Sequence, residues 1–236
     1  MAVSYMDFTS PNTQFSYDVS SNRFFTKDSG NYINALGIQQ LNTLGNNSIL
    51  DIFLTKGNVV EPHVHQNASE LVYCVTGAAV VSLINPFTKE VRNFPITPRQ
   101  VANVPQGWFH WEIATENNTH LIAIFDAPVP EFIAVSDFLR LAPTNILAHT
   151  YCLDEAKLKE TLAPITSTTT IGPPANCPQY HQPQPYAQGE NTSHQAPHSH
   201  THNPYTQSYG SPAQSYNRDR PRPTIGNLNR NPNINE

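Results

Sequence analysis

The sequence of 236 residues is poor in cysteine, in charged residues and in long apolar runs. Its three cysteines are odd in number and form no CxxC pair, which excludes a disulfide framework and a thiolate zinc site. Charged residues make up 13% of the chain and the net charge is −5, so we expect no nucleic-acid partner. No apolar run has the length of a signal-peptide core or a membrane span, so we expect a cytoplasmic protein without a membrane partner.

Apolar residues and prolines are unevenly distributed along the chain. Apolar residues make up 46% of residues 1–162 but 22% of residues 163–236, and twelve of the 21 prolines fall in the second part. A segment with so few large apolar side chains cannot offset the entropy lost when its backbone is ordered. The composition therefore predicts one globular domain over residues 1–162 and a disordered tail, rich in Pro, Gln, His and Tyr, over residues 163–236.

The middle of the globular part has the pattern of a β-barrel. Short runs rich in β-branched and aromatic residues alternate with Gly, Pro and Asn turns, and no helical periodicity persists among them. The predicted class is all-β, with an antiparallel jelly-roll barrel over residues 46–135 and an N-terminal extension, residues 1–45, packing on it. The predicted strands are Ile49–Thr55, Val59–His65, Glu70–Thr76, Ala79–Ile84, Glu90–Phe94, Gln100–Val104, Phe109–Ala114 and Leu121–Phe125.

The pattern changes to short helices over residues 136–162. Ser136 and Asp137 offer an N-cap for a first helix, and Pro143 suits the first turn of a second helix over Thr144–Tyr151. Asp154 is placed to cap a third helix over Glu155–Leu162. The apolar faces of these helices must pack on the barrel or on a neighbouring subunit, so we expect a homo-oligomer formed through the barrel and these helices.

Four residues in the strand region have the chemistry of metal ligands. His63 and His65 are two residues apart on a predicted strand, so their imidazoles lie on one face. Glu70 begins the next strand, and His110 opens a later strand after a Pro-x-Gly turn. Such N/O donors suit Mn²⁺, Fe²⁺, Ni²⁺, Cu²⁺ or Zn²⁺, with Cu²⁺ favoured by affinity alone. Four protein ligands leave two positions of an octahedral ion open, which favours Mn²⁺ or Fe²⁺.

The two segments that carry these residues resemble the two sequence motifs of the cupins. The first motif, Gly-x5-His-x-His-x4-Glu-x6-Gly, is complete from Gly57 to Gly77, and the second is present as Pro105-x-Gly107-x2-His110. The second motif departs from the family at Arg99, where a glycine is expected, and at Ala114, where an asparagine is expected. The resemblance implies a jelly-roll cupin in which His63, His65, Glu70 and His110 bind a metal.

Beyond the motifs, Ile122–Asp126, followed by Ser136–Leu139 and Pro143–Tyr151, resembles the closing strand and helices of germins and microbial oxalate decarboxylases. The resemblance implies a manganese enzyme acting on a small organic acid such as oxalate, as an oxidase or a decarboxylase. In the decarboxylases an arginine precedes the first motif histidine by three residues and holds the substrate carboxylate, whereas this chain has Val60. Their lid, which carries an acidic proton donor, would fall between Asp126 and Asp137, and Glu131 is the one candidate acid there.

The tail suggests a competing function. Its stretches His181–Tyr186 and His198–Tyr205 combine Pro, Gln, His and Tyr, a composition typical of extended segments that contact other proteins. The tail is similar in composition to those of bacterial spore-coat proteins. The alternative hypothesis is therefore a non-catalytic coat component built on a cupin scaffold, with the spore coat as its location.

Overall fold

A computed structural model of the protein describes residues 7–175 and residue 177. Twelve β-strands and three α-helices lie within these residues. Residues 178–236 contain the stretches of the tail predicted to contact other proteins, and they lie outside the described residues. The strands are β1 (Arg23–Asp28), β2 (Asn31–Leu36), β3 (Ser48–Leu54), β4 (Val59–Val64), β5 (Glu70–Thr76), β6 (Ala79–Ile84), β7 (Val91–Ile96), β8 (Val101–Val104), β9 (His110–Ala114), β10 (Thr119–Phe125), β11 (Ile133–Ala134) and β12 (Ile171–Gly172).

The strands form two antiparallel sheets that face each other as a jelly roll. The first sheet has the order β1-β2-β3-β10-β5-β8, and the second has the order β11-β4-β9-β6-β7, with β12 paired to β4. Inward-facing side chains of both sheets make one apolar core. Four of its members, Val72, Val81, Leu121 and Ala123, have no exposed surface. The predicted all-β jelly roll is confirmed.

The eight predicted strands are all present, with ends that differ by two residues at most. The differences of two residues are at the start of β10, which begins at Thr119, and at the end of β7, which continues through Pro95 to Ile96. β7 is the edge strand of the second sheet, a position that tolerates proline. Two further strands, β1 and β2, come from the predicted N-terminal extension and pair with each other and with β3.

Three short helices follow the barrel: α1 (Val135–Leu141), α2 (Thr144–Tyr151) and α3 (Glu155–Leu162). Asp154 caps α3 by accepting a 3.0 Å hydrogen bond from the Lys157 N–H, as predicted. The predicted cap of α1 is wrong, because α1 begins one residue before Ser136, and Ala134 at the N-cap position makes no side-chain bond. None of the helices in the described part of the chain is long and apolar enough to cross a membrane.

The carboxylate that caps α1 comes from the barrel. Glu61, on β4, accepts hydrogen bonds from the backbone N–H and hydroxyl of Ser136 at 3.0 and 2.9 Å. It also accepts from the N–H groups of Thr169 and Thr170 at 2.9 and 2.7 Å. One buried carboxylate therefore joins β4, the start of α1 and the segment after α3.

The segment after α3, residues 163–175, is named the C-terminal strap. It runs back along the barrel, where β12 pairs with Val59 and Val60 of β4. Ile171 of the strap is 1% exposed and belongs to the apolar core. The composition boundary after Leu162 is therefore too early for these residues, because one buried isoleucine and the Glu61 bonds fix a segment that is otherwise polar.

Candidate metal centre

The inner face of the barrel brings together all four predicted ligands. His63 and His110 are register partners on β4 and β9, so their rings lie side by side, with centroids 4.0 Å apart. His65 follows β4 directly, and Glu70 starts β5 in the opposite sheet. All four side chains are buried, and one nitrogen or oxygen from each lies within 4.8 Å of those of the other three.

A register shift in β4 decides which of its side chains face inward. The shift falls between Val60 and His63, so both of these residues line the barrel interior although they are three positions apart. Glu61, between them, is directed instead to Ser136 and the strap. Such irregularities re-aim side chains next to functional sites. Strict alternation along β4 would have placed Glu61, two residues before His63, among the ligands.

Backbone carbonyls fix the orientation of the three imidazoles. The Nδ1–H of His63 donates to the Glu61 carbonyl at 2.6 Å, that of His65 to the Glu131 carbonyl at 2.6 Å, and that of His110 to the Trp108 carbonyl at 2.9 Å. A carbonyl oxygen only accepts, so each Nδ1 carries a proton and each Nε2 is the metal-binding nitrogen of the neutral ring. Hydrogen bonds of this kind orient histidine ligands in metal sites.

The distances between the donor atoms fit a single small cation. The His63 and His65 Nε2 atoms lie 3.2 Å apart, His110 Nε2 lies 2.7 Å from Glu70 Oε2, and His65 Nε2 lies 3.5 Å from the same oxygen. An ion about 2.1 Å from each of two adjacent ligands would separate them by about 3.0 Å. Two imidazole lone pairs at 3.2 Å repel each other unless a cation or a proton lies between them. The four residues therefore fit a transition-metal ion.

The protonation of the cluster depends on these contacts. Burial, together with the neighbouring His110, lowers the pKa of His63 to about 3. Burial would also lower the pKa of His110, but the hydrogen bond to Glu70 and the charges of Glu112 and Glu70 raise it to about 9. Burial opposes ionisation of Glu70, yet the hydrogen bond from His110 and the neighbouring imidazoles hold its pKa below the usual range. In the absence of metal, the cluster therefore holds a His110 imidazolium paired with the Glu70 carboxylate, beside the neutral ring of His63.

A loop before α1 closes one side of the centre. The ring of Phe132 lies 5.0 Å from that of His63, measured between centroids, and the Glu131 carbonyl holds His65. Asn67 fixes the loop by donating to the Val129 carbonyl and accepting from the Glu131 N–H. The side chain of Glu131 is exposed and accepts a 2.7 Å hydrogen bond from Gln66, so its role as proton donor stays a prediction.

A buried acid that sequence reasoning missed lies next to the centre. Glu112 is 1% exposed and lines the cavity beside the histidines, with its Oε1 at 3.8 Å from His110 Nε2. Burial and the charge of Glu70 raise the pKa of Glu112 above its usual range. The signal was present in the sequence, because Glu112 follows His110 by two residues on one strand and therefore shares its face.

Sequence comparison identifies the family. The family described as Cupin matches residues 21–159, which is more than half of the chain and includes every residue of the cluster. The chain belongs to the cupin family. Its relatives include germin-like protein 1-2 of Oryza sativa subsp. japonica, 31% identical over 124 residues, and germin-like protein subfamily 1 member 3 of Arabidopsis thaliana, 30% identical over 133 residues.

The matched regions cover 49% and 53% of this cupin, and 53% and 58% of the two relatives, so the chain spans about half the length of the curated relatives it matches. Among solved structures, oxalate decarboxylase from Bacillus subtilis superimposes with a TM-score of 0.59 at 19% identity, over 68% of this chain and 43% of that one. Recombinant oxalate oxidase in complex with glycolate gives 0.59 at 14% identity, over 67% and 84%. Identities this low show a shared fold.

The two departures from the second cupin motif lie away from the metal ligands. Arg99 is exposed and adopts φ 75°, the left-handed conformation that favours the glycine expected there. Ala114 ends β9 and is 1% exposed, within the apolar core. The cupin therefore keeps the turn geometry at Arg99 without the glycine, and neither departure removes a ligand.

Proposed function

We propose that this cupin is a metal-dependent enzyme that binds Mn²⁺ through His63, His65, Glu70 and His110 and acts on a small organic acid. The observation that carries the proposal is the set of three Nδ1–carbonyl bonds, which leave three Nε2 atoms and one carboxylate directed at a common point. A bound Mn²⁺ would supply a Lewis-acid and redox-active centre for the substrate's carboxylate. Nitrogen and oxygen ligands without thiolate also suit Fe²⁺, Zn²⁺, Ni²⁺ and Cu²⁺, so metal analysis must cover all five.

The chain's own residues would prepare the site for such a substrate. A cavity of about 380 Å³ adjoins the cluster and is lined mainly by apolar side chains, among them Leu50, Ile52 and Phe132. Pockets of this size accept small molecules. The apolar walls exclude water, which strengthens the attraction between a bound anion and the cationic centre.

Of the two oxalate reactions, the oxidase type is the better supported. A decarboxylase of the familiar kind needs a cation for the second carboxylate and an acid that reaches the substrate. Where the decarboxylases have the arginine, this chain has the hydrocarbon side chain of Val60, which is 6% exposed. The Glu131 carboxylate is hydrogen-bonded to Gln66 at the surface. An oxidase reaction requires neither group.

Turnover assays on the full-length, Mn²⁺-loaded protein test the proposal. Oxygen consumption and CO₂ release are followed with oxalate, glycolate and other small organic acids, and His110→Ala serves as the inactive variant. We expect Mn²⁺-dependent turnover of at least one acid that disappears in His110→Ala. A protein that binds the metal and consumes none of the acids would contradict the enzyme proposal and favour the scaffold alternative.

Self-association is the second part of the proposal. The first two helices expose large apolar side chains, with Phe138, Leu141, Ile146 and Tyr151 between 55% and 66% accessible in the single chain. We propose that copies of the chain cover these side chains in a homo-oligomer. Sedimentation of the wild type and of Leu141→Asp tests this, and a wild type that stays monomeric at high concentration would contradict it.

The coat-component alternative, with its location in the spore coat, depends on the tail rather than on the barrel. Fractionation of sporulating cells separates the two functions. Recovery of the protein in the soluble cytosolic fraction alone would contradict the coat hypothesis, and recovery in the coat would contradict the cytoplasmic location expected of the enzyme.

A further inference from the structure

Glu112 presents a buried oxygen that no described residue satisfies. Its Oε1 has no hydrogen-bond partner, and the residue is 1% exposed. Nearly all buried polar atoms in folded proteins are hydrogen-bonded, and an unpaired one destabilises the fold. Glu112 also lines the cavity next to His63, His65 and Glu70. A buried carboxyl oxygen that faces a cavity without a partner indicates that a ligand supplies the missing donor.

The neighbours of Glu112 offer its Oε1 no hydrogen-bond donor among the described residues. Its register partners are Val60 on β4 and Val81 on β6, and both are buried hydrocarbons. His110 Nε2, at 3.8 Å, is too distant for a hydrogen bond and is committed to Glu70 at 2.7 Å. Glu112 Oε1 therefore lies between two apolar register partners and within 4 Å of His110, without a hydrogen bond to any described residue.

One arginine lines the described part of the cavity, and its guanidinium is held by another contact. Among the described residues that line the cavity, Arg23 is the one lysine or arginine. Arg23 is exposed, and its guanidinium carbon lies 3.6 Å from the centre of the Tyr32 ring. Cation–π contact of this kind holds the guanidinium at that ring. The described lining of the cavity therefore holds no lysine or arginine that is free of another contact.

We propose that Glu112 determines substrate specificity by accepting a hydrogen bond from a hydroxyl or amino group of a small monocarboxylate whose carboxylate binds at the metal centre. The inference rests on the proposed function, because it places the substrate carboxylate at the His63, His65, Glu70 and His110 cluster. A hydroxy or amino monocarboxylate satisfies both ends of the site.

Binding to the Mn²⁺-loaded, full-length protein tests the inference without reference to turnover. Titration calorimetry compares glycolate and glycine, which carry the donor, with acetate, which lacks it. We expect at least one of the two donor-bearing acids to bind roughly tenfold more tightly than acetate, as for a hydrogen bond to a strongly polar group. The two donor acids distinguish a hydroxyl from an amino ligand.

Variants of Glu112 assign the preference to this side chain. Glu112→Met keeps the length and removes both oxygens, so the preference over acetate should disappear, while Glu112→Gln keeps one acceptor and should retain part of it. Glu116→Gln, at an exposed position beyond β9, is the matched control and should behave as wild type. Manganese content and circular dichroism of every variant are measured alongside.

The outcomes separate this inference from the proposed function. A wild type that retains no metal would overturn both. Metal retention with equal affinities for glycolate, glycine and acetate would overturn the role of Glu112 alone. A preference for the donor-bearing acids that persists in Glu112→Met would also overturn the role of Glu112. So would a variant series in which only the affinity for the metal changes, because Glu112 would then act through the metal ligands.

Discussion

Two buried glutamates on neighbouring strands of the same sheet have opposite surroundings. Glu61, on β4, accepts four hydrogen bonds from Ser136, Thr169 and Thr170 and joins the barrel to α1 and the C-terminal strap. Glu112, on β9, has an oxygen without a partner and faces a cavity beside three imidazoles. The protein satisfies the hydrogen bonds of the Glu61 carboxylate, whereas Glu112 Oε1 has no partner among the described residues. The first glutamate stabilises the fold, and the second is available for function.

The largest effect on stability should come from Glu61→Ala. The substitution leaves the N–H groups of Ser136, Thr169 and Thr170 without their acceptor, and unsatisfied buried donors cost about 1–3 kcal/mol each. We expect the free energy of unfolding to fall by about 3 kcal/mol or more, as measured by denaturant titration. Glu112→Gln replaces a buried carboxyl whose Oε1 has no partner by an amide of the same shape, and it should change stability by less than about 1 kcal/mol. Equal losses of unfolding free energy in the two variants would contradict the contrast between Glu61 and Glu112.

Loss of a central ligand should have the largest effect on metal binding. His110→Ala removes one Nε2 and leaves Glu70 without its 2.7 Å partner. The loss of affinity should exceed the roughly 10–100-fold that removal of an outer hydrogen-bond partner costs, as measured by competition with a chelator. His120→Ala is the control, because His120 pairs with Asp51 at 2.6 Å outside the cluster. Metal retention by His110→Ala would contradict the assignment.

The pH dependence of metal binding should reveal the proton on His110. The pKa of His110 is raised to about 9, so at neutral pH the metal-free ring is charged and must lose a proton before it can bind an ion. Metal affinity should therefore rise with pH by about tenfold per unit until the pH reaches that pKa, where the dependence should level off. Calorimetry in buffers of different ionisation enthalpy should detect about one proton released at neutral pH. Binding without proton release would contradict the imidazolium–carboxylate pair.

The smallest effect on metal binding is expected at the loop. Glu131→Ala removes the exposed carboxylate but keeps the backbone carbonyl that orients His65. Metal affinity should stay within about twofold of wild type, the usual range for a surface substitution. Turnover measured on the same variant then tests the predicted proton-donor role. Unchanged turnover would show that the Glu131 carboxylate takes no part in the chemistry.

Spacing in the sequence was enough to predict the four clustered residues. His63 and His65 share a face because they are two residues apart, and the turns before Glu70 and His110 bring the other two to the same interior. Periodicity likewise placed the strands, because each carries β-rich residues between Gly, Pro or Asn turns. These patterns depend on neighbouring residues in the sequence, so long-range contacts in the folded protein change the predicted elements little.

The features that the sequence did not predict depend on long-range contacts. The strap is ordered by Ile171 in the core and by Glu61, more than 100 residues earlier in the chain. The register shift that directs Glu61 outward is a property of the pairing between β4 and β9. Glu112 differs from both, because its position two residues after His110 was visible in the sequence, but its lack of a partner could be seen only once the barrel was closed.

Metal analysis of the protein isolated from its native host tests the central claim most directly. The account predicts about one equivalent of transition metal per chain, because three imidazoles and one carboxylate form a single site. The proposed function further predicts that manganese predominates. Retained metal should be lost in His110→Ala prepared in the same way. Less than roughly a tenth of an equivalent of any transition metal in the native protein would contradict the account, because the buried imidazoles would then serve only the fold.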